Sequence, residues 1–205
     1  MRSLLLAAAL LPLTACASFQ PAVITHQTRD WRQVVTEGDR ERLRDWRTAW
    51  TRAMAAAQRA GHGGDIAREG ALVQPDAALP NPALPNGAYR CRTIKLGAKS
   101  EGLLDYIAYP AFTCRVQQER DLQGFAKLTG SQRQVGLIFP HDQLRSVFLG
   151  TLVLGDESRA MQYGADRERD VAGYVERIGP NRWRLVMPSP RYESLVDVLE
   201  LTPAP

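Results

Sequence analysis

A chain of 205 residues with 44% hydrophobic and 23% charged residues is long enough for one sizeable core and too apolar for wholesale disorder. The formal net charge of +4 is a mild bias, because acids sit among the arginines in runs such as Arg40-Glu41-Arg42 and Asp166-Arg167-Glu168-Arg169-Asp170. That alternation belongs to solvated faces and excludes nucleic acid as a partner, which would need a clustered basic footprint.

Residues 1–15 are read as a signal peptide. Arg2 supplies a positive start, and the apolar run from Leu4 to Leu13 is interrupted only by Pro12. The run is far short of the ~20 residues of a membrane-spanning helix but suits the apolar stretch of an export signal. It ends Leu13-Thr14-Ala15-Cys16, which resembles the bacterial lipobox. The resemblance implies cleavage before Cys16, a diacylglyceryl group on its thiol, and a lipoprotein anchored to a membrane by more than one acyl chain. Ala17 is not the aspartate associated with inner-membrane retention, so the expected address is the periplasmic face of the outer membrane.

Residues 16–28 form the lipidated tether, polar and without periodicity. Residues 29–73 carry helical patterns. Asp30 caps a short turn through Trp31, and Thr36 starts a helix running to about Ala60, with Gly61 as its stop. Leu43, Trp46, Trp50, Ala53, Met54 and Ala57 share one face of that helix, and a short second helix is expected over 65–72. Residues 74–87 form a connector stiffened by Pro75, Pro80, Pro82 and Pro85.

From residue 88 to residue 205 the pattern is that of strands, expected at 89–96, 106–116, 124–128, 134–139, 146–154, 171–178, 183–187 and 195–201. Eight short strands with turn signals predict a mainly β, α+β fold: an antiparallel barrel or closed sandwich. The strands around Leu137 and Leu149 are apolar on both faces, so one face needs a cover. The Trp46/Trp50 helix is the expected cover, making 29–205 one folding unit.

With Cys16 lipidated, Cys91 and Cys114 remain, an even number suited to a cross-strand disulfide in an oxidising compartment. Two thiols without a nearby histidine do not make a zinc site. If the cysteines pair, Arg90, Arg92 and Arg115 share the opposite face. They are then either neutralised by Glu119, Asp121 or Glu176, or form a candidate patch for an anionic envelope ligand or protein carboxylate.

Catalytic signals are sparse. Ser131, His141 and Asp105 could be assembled as a hydrolase on paper, but Thr129-Gly130-Ser131-Gln132 has the composition of a hairpin turn and no Gly-x-Ser-x-Gly elbow is present. No metalloprotease, P-loop or dinucleotide motif occurs, so no cofactor is expected.

Several stretches together are similar to a family of bacterial envelope proteins, the domain of unknown function 4893. They include Asp39-Arg40-x-Arg42-Leu43 with Trp46 and Trp50, Tyr89-Arg90-Cys91-Arg92, and Phe125-Ala126-Lys127-Leu128-Thr129-Gly130-Ser131. Phe148-Leu149-Gly150-Thr151, Arg169-Asp170-Val171 and Arg182-Trp183-Arg184-Leu185 continue the likeness. The resemblance covers nearly the whole mature chain; it implies an envelope address and carries no activity. A looser architectural likeness, through Gly87-Ala88-Tyr89, is to small periplasmic barrels that inhibit secreted metalloproteases. The expected function is therefore a non-catalytic, membrane-anchored barrel that binds an envelope ligand or partner. A protease-inhibitor-like barrel is the alternative, and a Ser131/His141 hydrolase a further one.

Overall fold

The computed structural model describes residue 24 and residues 28–205. The signal peptide, Cys16 and nearly all of the tether lie outside these residues. Asp30 caps a 3-10 turn, Trp31–Gln33, by accepting the Arg32 amide at 3.1 Å. Helix α1 (Glu37–Arg44) starts at Thr36, whose hydroxyl accepts the Asp39 amide. α2 (Trp46–Arg59) and α3 (Gly63–Glu69) follow, and a second 3-10 turn, Gly70–Val73, ends the helical layer. Where one helix was expected from Thr36 to Ala60, the chain breaks at Asp45 (φ −92°, ψ 11°). At the break the Tyr174 hydroxyl donates to the Leu43 carbonyl at 3.2 Å, a sheet side chain entering the helix ladder. The stop at Gly61 is as expected: its φ is +92°, and the His62 amide reaches the Ala57 carbonyl at 3.0 Å. No helix among the described residues is long and apolar enough to cross a membrane.

The strands are β1 (Gly87–Ala98), β2 (Tyr106–Ala108), β3 (Phe112–Glu119), β4 (Leu122–Lys127) and β5 (Gln132–Pro140), then β6 (Arg145–Leu154), β7 (Asp170–Gly179), β8 (Arg182–Pro188) and β9 (Ser194–Pro203). From β3 to β9 each pairs antiparallel with the next, and β9 returns to β1 from Tyr89↔Pro203 to Ala98↔Ser194, closing an eight-stranded barrel. The extra strand, β2, comes from splitting the expected strand over 106–116. Pro110 has no N–H for a ladder, so β2 pairs with the far end of β1 (Leu96↔Tyr106) and β3 with its start (Cys91↔Phe112).

Pairing decides which side chains share a face. Tyr89, Cys91, Cys114, Phe125, Phe148, Trp183 and Leu199 belong to a buried cluster inside the barrel. Phe125 and Phe148 meet edge to face at 5.7 Å between centroids. The interior closes this tightly because Gly136 and Gly150 face each other across β5 and β6; a Cβ on Gly150 would lie 2.3 Å from the Val135 carbonyl oxygen. Cys91 and Cys114 are bonded, with Cα atoms 5.9 Å apart.

A second apolar layer lies outside. Leu43, Trp46, Trp50, Ala53 and Ala57 pack with Ile94, Leu96, Val196 and Val198. The cover is therefore an N-terminal helix, as expected, but its position is corrected. α2 lies on β1, β8 and β9, and α1 on β7, rather than chiefly on the strands around Leu137 and Leu149. Leu149 is buried in the same layer and Leu137 packs at its margin. Charges tie the layers together. The wholly buried Arg184 guanidinium bonds the Glu176 carboxylate at 2.6 Å and donates to the carbonyls of Ala71, Leu72, Gln74 and Pro75 at 2.7–3.3 Å.

Candidate functional site

Inward parity continues along the strands past the apolar core, but the chemistry changes. On β1, Tyr89 and Cys91 are followed inward by Thr93 and Lys95. On β9, Leu201 and Leu199 are followed by Asp197; on β4, Phe125 by Lys127; on β5, Ile138 and Gly136 by Gln134. Together with Gln132 these polar side chains line a cavity of about 100 Å³, rimmed by Tyr109, Phe112, Ser131 and Glu193. One water needs only ~10–15 Å³ of such space. A narrower cavity of about 20 Å³ shares Lys95, Gln132, Gln134 and Asp197 and extends towards Arg42 and Asp170.

The two lysines in this mouth differ. Lys95 Nζ is 3.0 Å from Asp197 and 3.1 Å from Glu193. Burial alone would lower its pKa, but the two carboxylates hold it above the usual lysine value. Lys127 Nζ donates to the Gln132 carbonyl at 2.9 Å and sits 3.8 Å from the centroid of Phe112. It forms no ion pair with any described acid. Burial, and after it the Lys95 charge, pulls the Lys127 pKa down to about 8.

Two neutral groups in the same cavity are unsatisfied. Thr93 is 4% and Gln134 3% exposed, and Thr93 Oγ1 and Gln134 Oε1 have no hydrogen-bond partner among the described residues. Buried polar groups are rarely left this way, since each unmet one costs ~1–3 kcal/mol. A site built from two amides, a hydroxyl, a paired ammonium and an unpaired one suits recognition of a polar molecule.

A family model described as Domain of unknown function (DUF4893) matches residues 31–201. The chain belongs to the DUF4893 family. The match takes in the helical layer and nearly all of the barrel, so the mouth lies within the DUF4893 region. Comparison with curated proteins and with solved structures returns no match.

The residues singled out from the sequence fall in other parts of this DUF4893 chain, with one exception. Cys16 lies outside the described residues. The Cys91–Cys114 bond sits in the apolar half of the barrel. Arg90 and Arg115 are exposed on the outer face, but Arg92 drops out of the candidate patch. Its guanidinium pairs with Glu69 and, at 3.0 Å, with Glu200. These are not the acids named from the sequence: Glu200 faces Arg92 across the β1–β9 closure, while Glu176 serves Arg145 and Arg184. Glu69 also accepts the Tyr106 hydroxyl at 2.9 Å. Burial would raise the Glu69 pKa, but hydrogen bonds from Arg92 and Tyr106 leave it lowered.

The paper triad does not assemble. Ser131 is at the cavity rim and His141 lies just past the far end of β5, a nine-residue strand, so ~30 Å of strand separates them. His141 instead packs against the rings of Trp31 and Tyr174. Asp105 accepts the Ala98 amide at 2.8 Å. Sequence reasoning missed Thr93, Lys127 and Gln134 as site residues. One available signal was that only 3 of 26 basic residues are lysine, and two of those, Lys95 and Lys127, have the inward parity of Cys91 and Phe125.

Proposed function

We propose that this DUF4893 protein is a non-catalytic lipoprotein of the periplasm, held on a membrane, the outer one on our reading, through Cys16, and that its barrel binds a small polar ligand at the Lys95/Lys127 mouth. The observation that carries the binding reading is the pair of buried, unpartnered groups, Thr93 Oγ1 and Gln134 Oε1, facing one roomy cavity. The anchoring reading rests on Leu13-Thr14-Ala15-Cys16, and a bonded cysteine pair suits an oxidising compartment.

Binding is tested by thermal shift of the mature protein against small polar metabolites. At least one should raise the melting temperature, and the double variant Thr93→Val, Gln134→Leu should lose that response while folding normally. No response in the wild type, or a response the variant retains, would count against the mouth as the site. Anchoring is tested by metabolic labelling with a fatty-acid analogue, which should mark the wild type and not Cys16→Ser.

A further inference from the structure

Resting on the mouth as a binding site, we propose that its occupant is a small monocarboxylate, held by the Lys127 ammonium and carrying a hydrogen-bond donor beside the carboxylate. Lys127 is 5% exposed and has no carboxylate within ion-pair distance among the described residues; Asp197 favours its charge through space, but burial and the Lys95 charge outweigh that. The Gln132 carbonyl and the Phe112 ring supply only partial negative charge. On β1, Lys95 is a like charge already claimed by Asp197 of β9 and by Glu193. On β5, Arg133 is a second like charge, committed to the carbonyls of Gly130, Gly155 and Glu157. Buried cations normally have a partner or a counter-ion. A carboxylate entering from the rim would supply a direct ion pair where the chain places none.

The other groups narrow the choice. Asp197 and Glu193 lie in the same cavity and disfavour a dianion such as phosphate. Gln134 Oε1 is a buried acceptor without a donor, which calls for a hydroxyl or amino group next to the carboxylate. A cavity of about 100 Å³ suits a molecule of a few carbons.

The test uses L-lactate, its neutral analogue lactamide, and inorganic phosphate. Binding is followed on the Gln134 side-chain amide and the Lys127 side chain by NMR. Lactate should bind at least tenfold more tightly than lactamide, and phosphate more weakly than lactate. Lys95 is held charged by its two acids and does not titrate in the relevant window. Lactate affinity in the wild type should therefore be flat below pH about 8 and fall ~tenfold per unit above it, while lactamide affinity stays level. Lys127→Met should abolish lactate binding; the wild-type pH profile gives the same answer if that variant fails to fold. Lactamide binding as well as lactate, or phosphate binding better, would overturn the carboxylate and leave the mouth standing as a site. No perturbation at Gln134 or Lys127 by any of the three would overturn both.

Discussion

The two halves of the barrel interior are built to opposite rules from the same strands. In one half, Tyr89, Cys91, Leu199 and Leu201 face inward and Arg90, Arg92 and Glu200 outward, the ordinary arrangement of a filled barrel. A few residues further along β1 and β9 the pattern inverts: Thr93, Lys95 and Asp197 face inward while Ile94, Leu96, Val196 and Val198 face outward. The inversion is stable because α2 covers the outer face at that level, so apolar side chains lost to the interior are buried under the helix instead. A covering helix thus frees the inside of the barrel for polar chemistry. Core and site differ in what lies outside them as much as in what lies inside.

The largest effects should come from the filled half and from the charges that fix the cover. Phe148→Ala should destabilise by ~3–5 kcal/mol, because Phe148 is fully buried against Phe125 and the Gly136–Gly150 contact leaves the wall no freedom to collapse. Arg184→Ala should cost a similar ~3–5 kcal/mol by leaving carbonyls after α3 without donors and weakening the compensation of Glu176. Chemical denaturation measures both. If Arg184→Ala were neutral, the helical layer would not be fixed to the barrel by this bond, and the account of the inversion would weaken. The paired change Cys91→Ser, Cys114→Ser ranks next, at ~3 kcal/mol for a bridge spanning 23 residues, and should leave ligand responses at the mouth unchanged.

The eight-strand barrel, its helical cover and the disulfide were legible because each rests on local pattern. Strand alternation, the Trp46/Trp50 face, Gly61 and the two remaining cysteines are all visible in the chain itself. The mouth was not legible, since alternation gives parity but not which parity is inside water. Lys95 between Ile94 and Leu96 reads as an exposed residue on an ordinary strand until α2 is known to sit outside. The partners of Arg92 were hidden for a related reason: Glu200 becomes its neighbour only when β9 closes on β1. The separation of Ser131 from His141, by contrast, was already implied by the strand expected between them, and the structure only makes its length explicit.

The smallest effect separates the halves most sharply, because it has a sign the core cannot produce. The Lys127 pKa lies near 8 in the folded chain against 10.5 for an ordinary lysine. Below about 8 both the folded and unfolded chains hold the proton, and the fold bears the whole cost of the buried charge. Between about 8 and 10.5 the unfolded chain binds more protons at this site than the folded one, so stability contributed by this group rises with pH. The wild type should therefore gain on Lys127→Met across that window, and the difference between their melting temperatures should begin to rise near pH 8 and level off near 10.5. Lys95, the cation coupled to Lys127, is held above the usual lysine value and so stays charged across this window, which leaves Lys127 as the main source of the difference. The carbonyl of Gln132 loses its donor in the variant, but Gln132 is only half-buried and water can replace the ammonium. A bound carboxylate should reverse the trend by giving the charge a partner, so that saturating lactate makes the wild type lose stability relative to the variant as pH rises. A melting-temperature difference that is flat from pH 7 to pH 10.5 without ligand would mean that Lys127 is as well solvated as a surface lysine. The polar half of the barrel would then be a wetted end and not a built site.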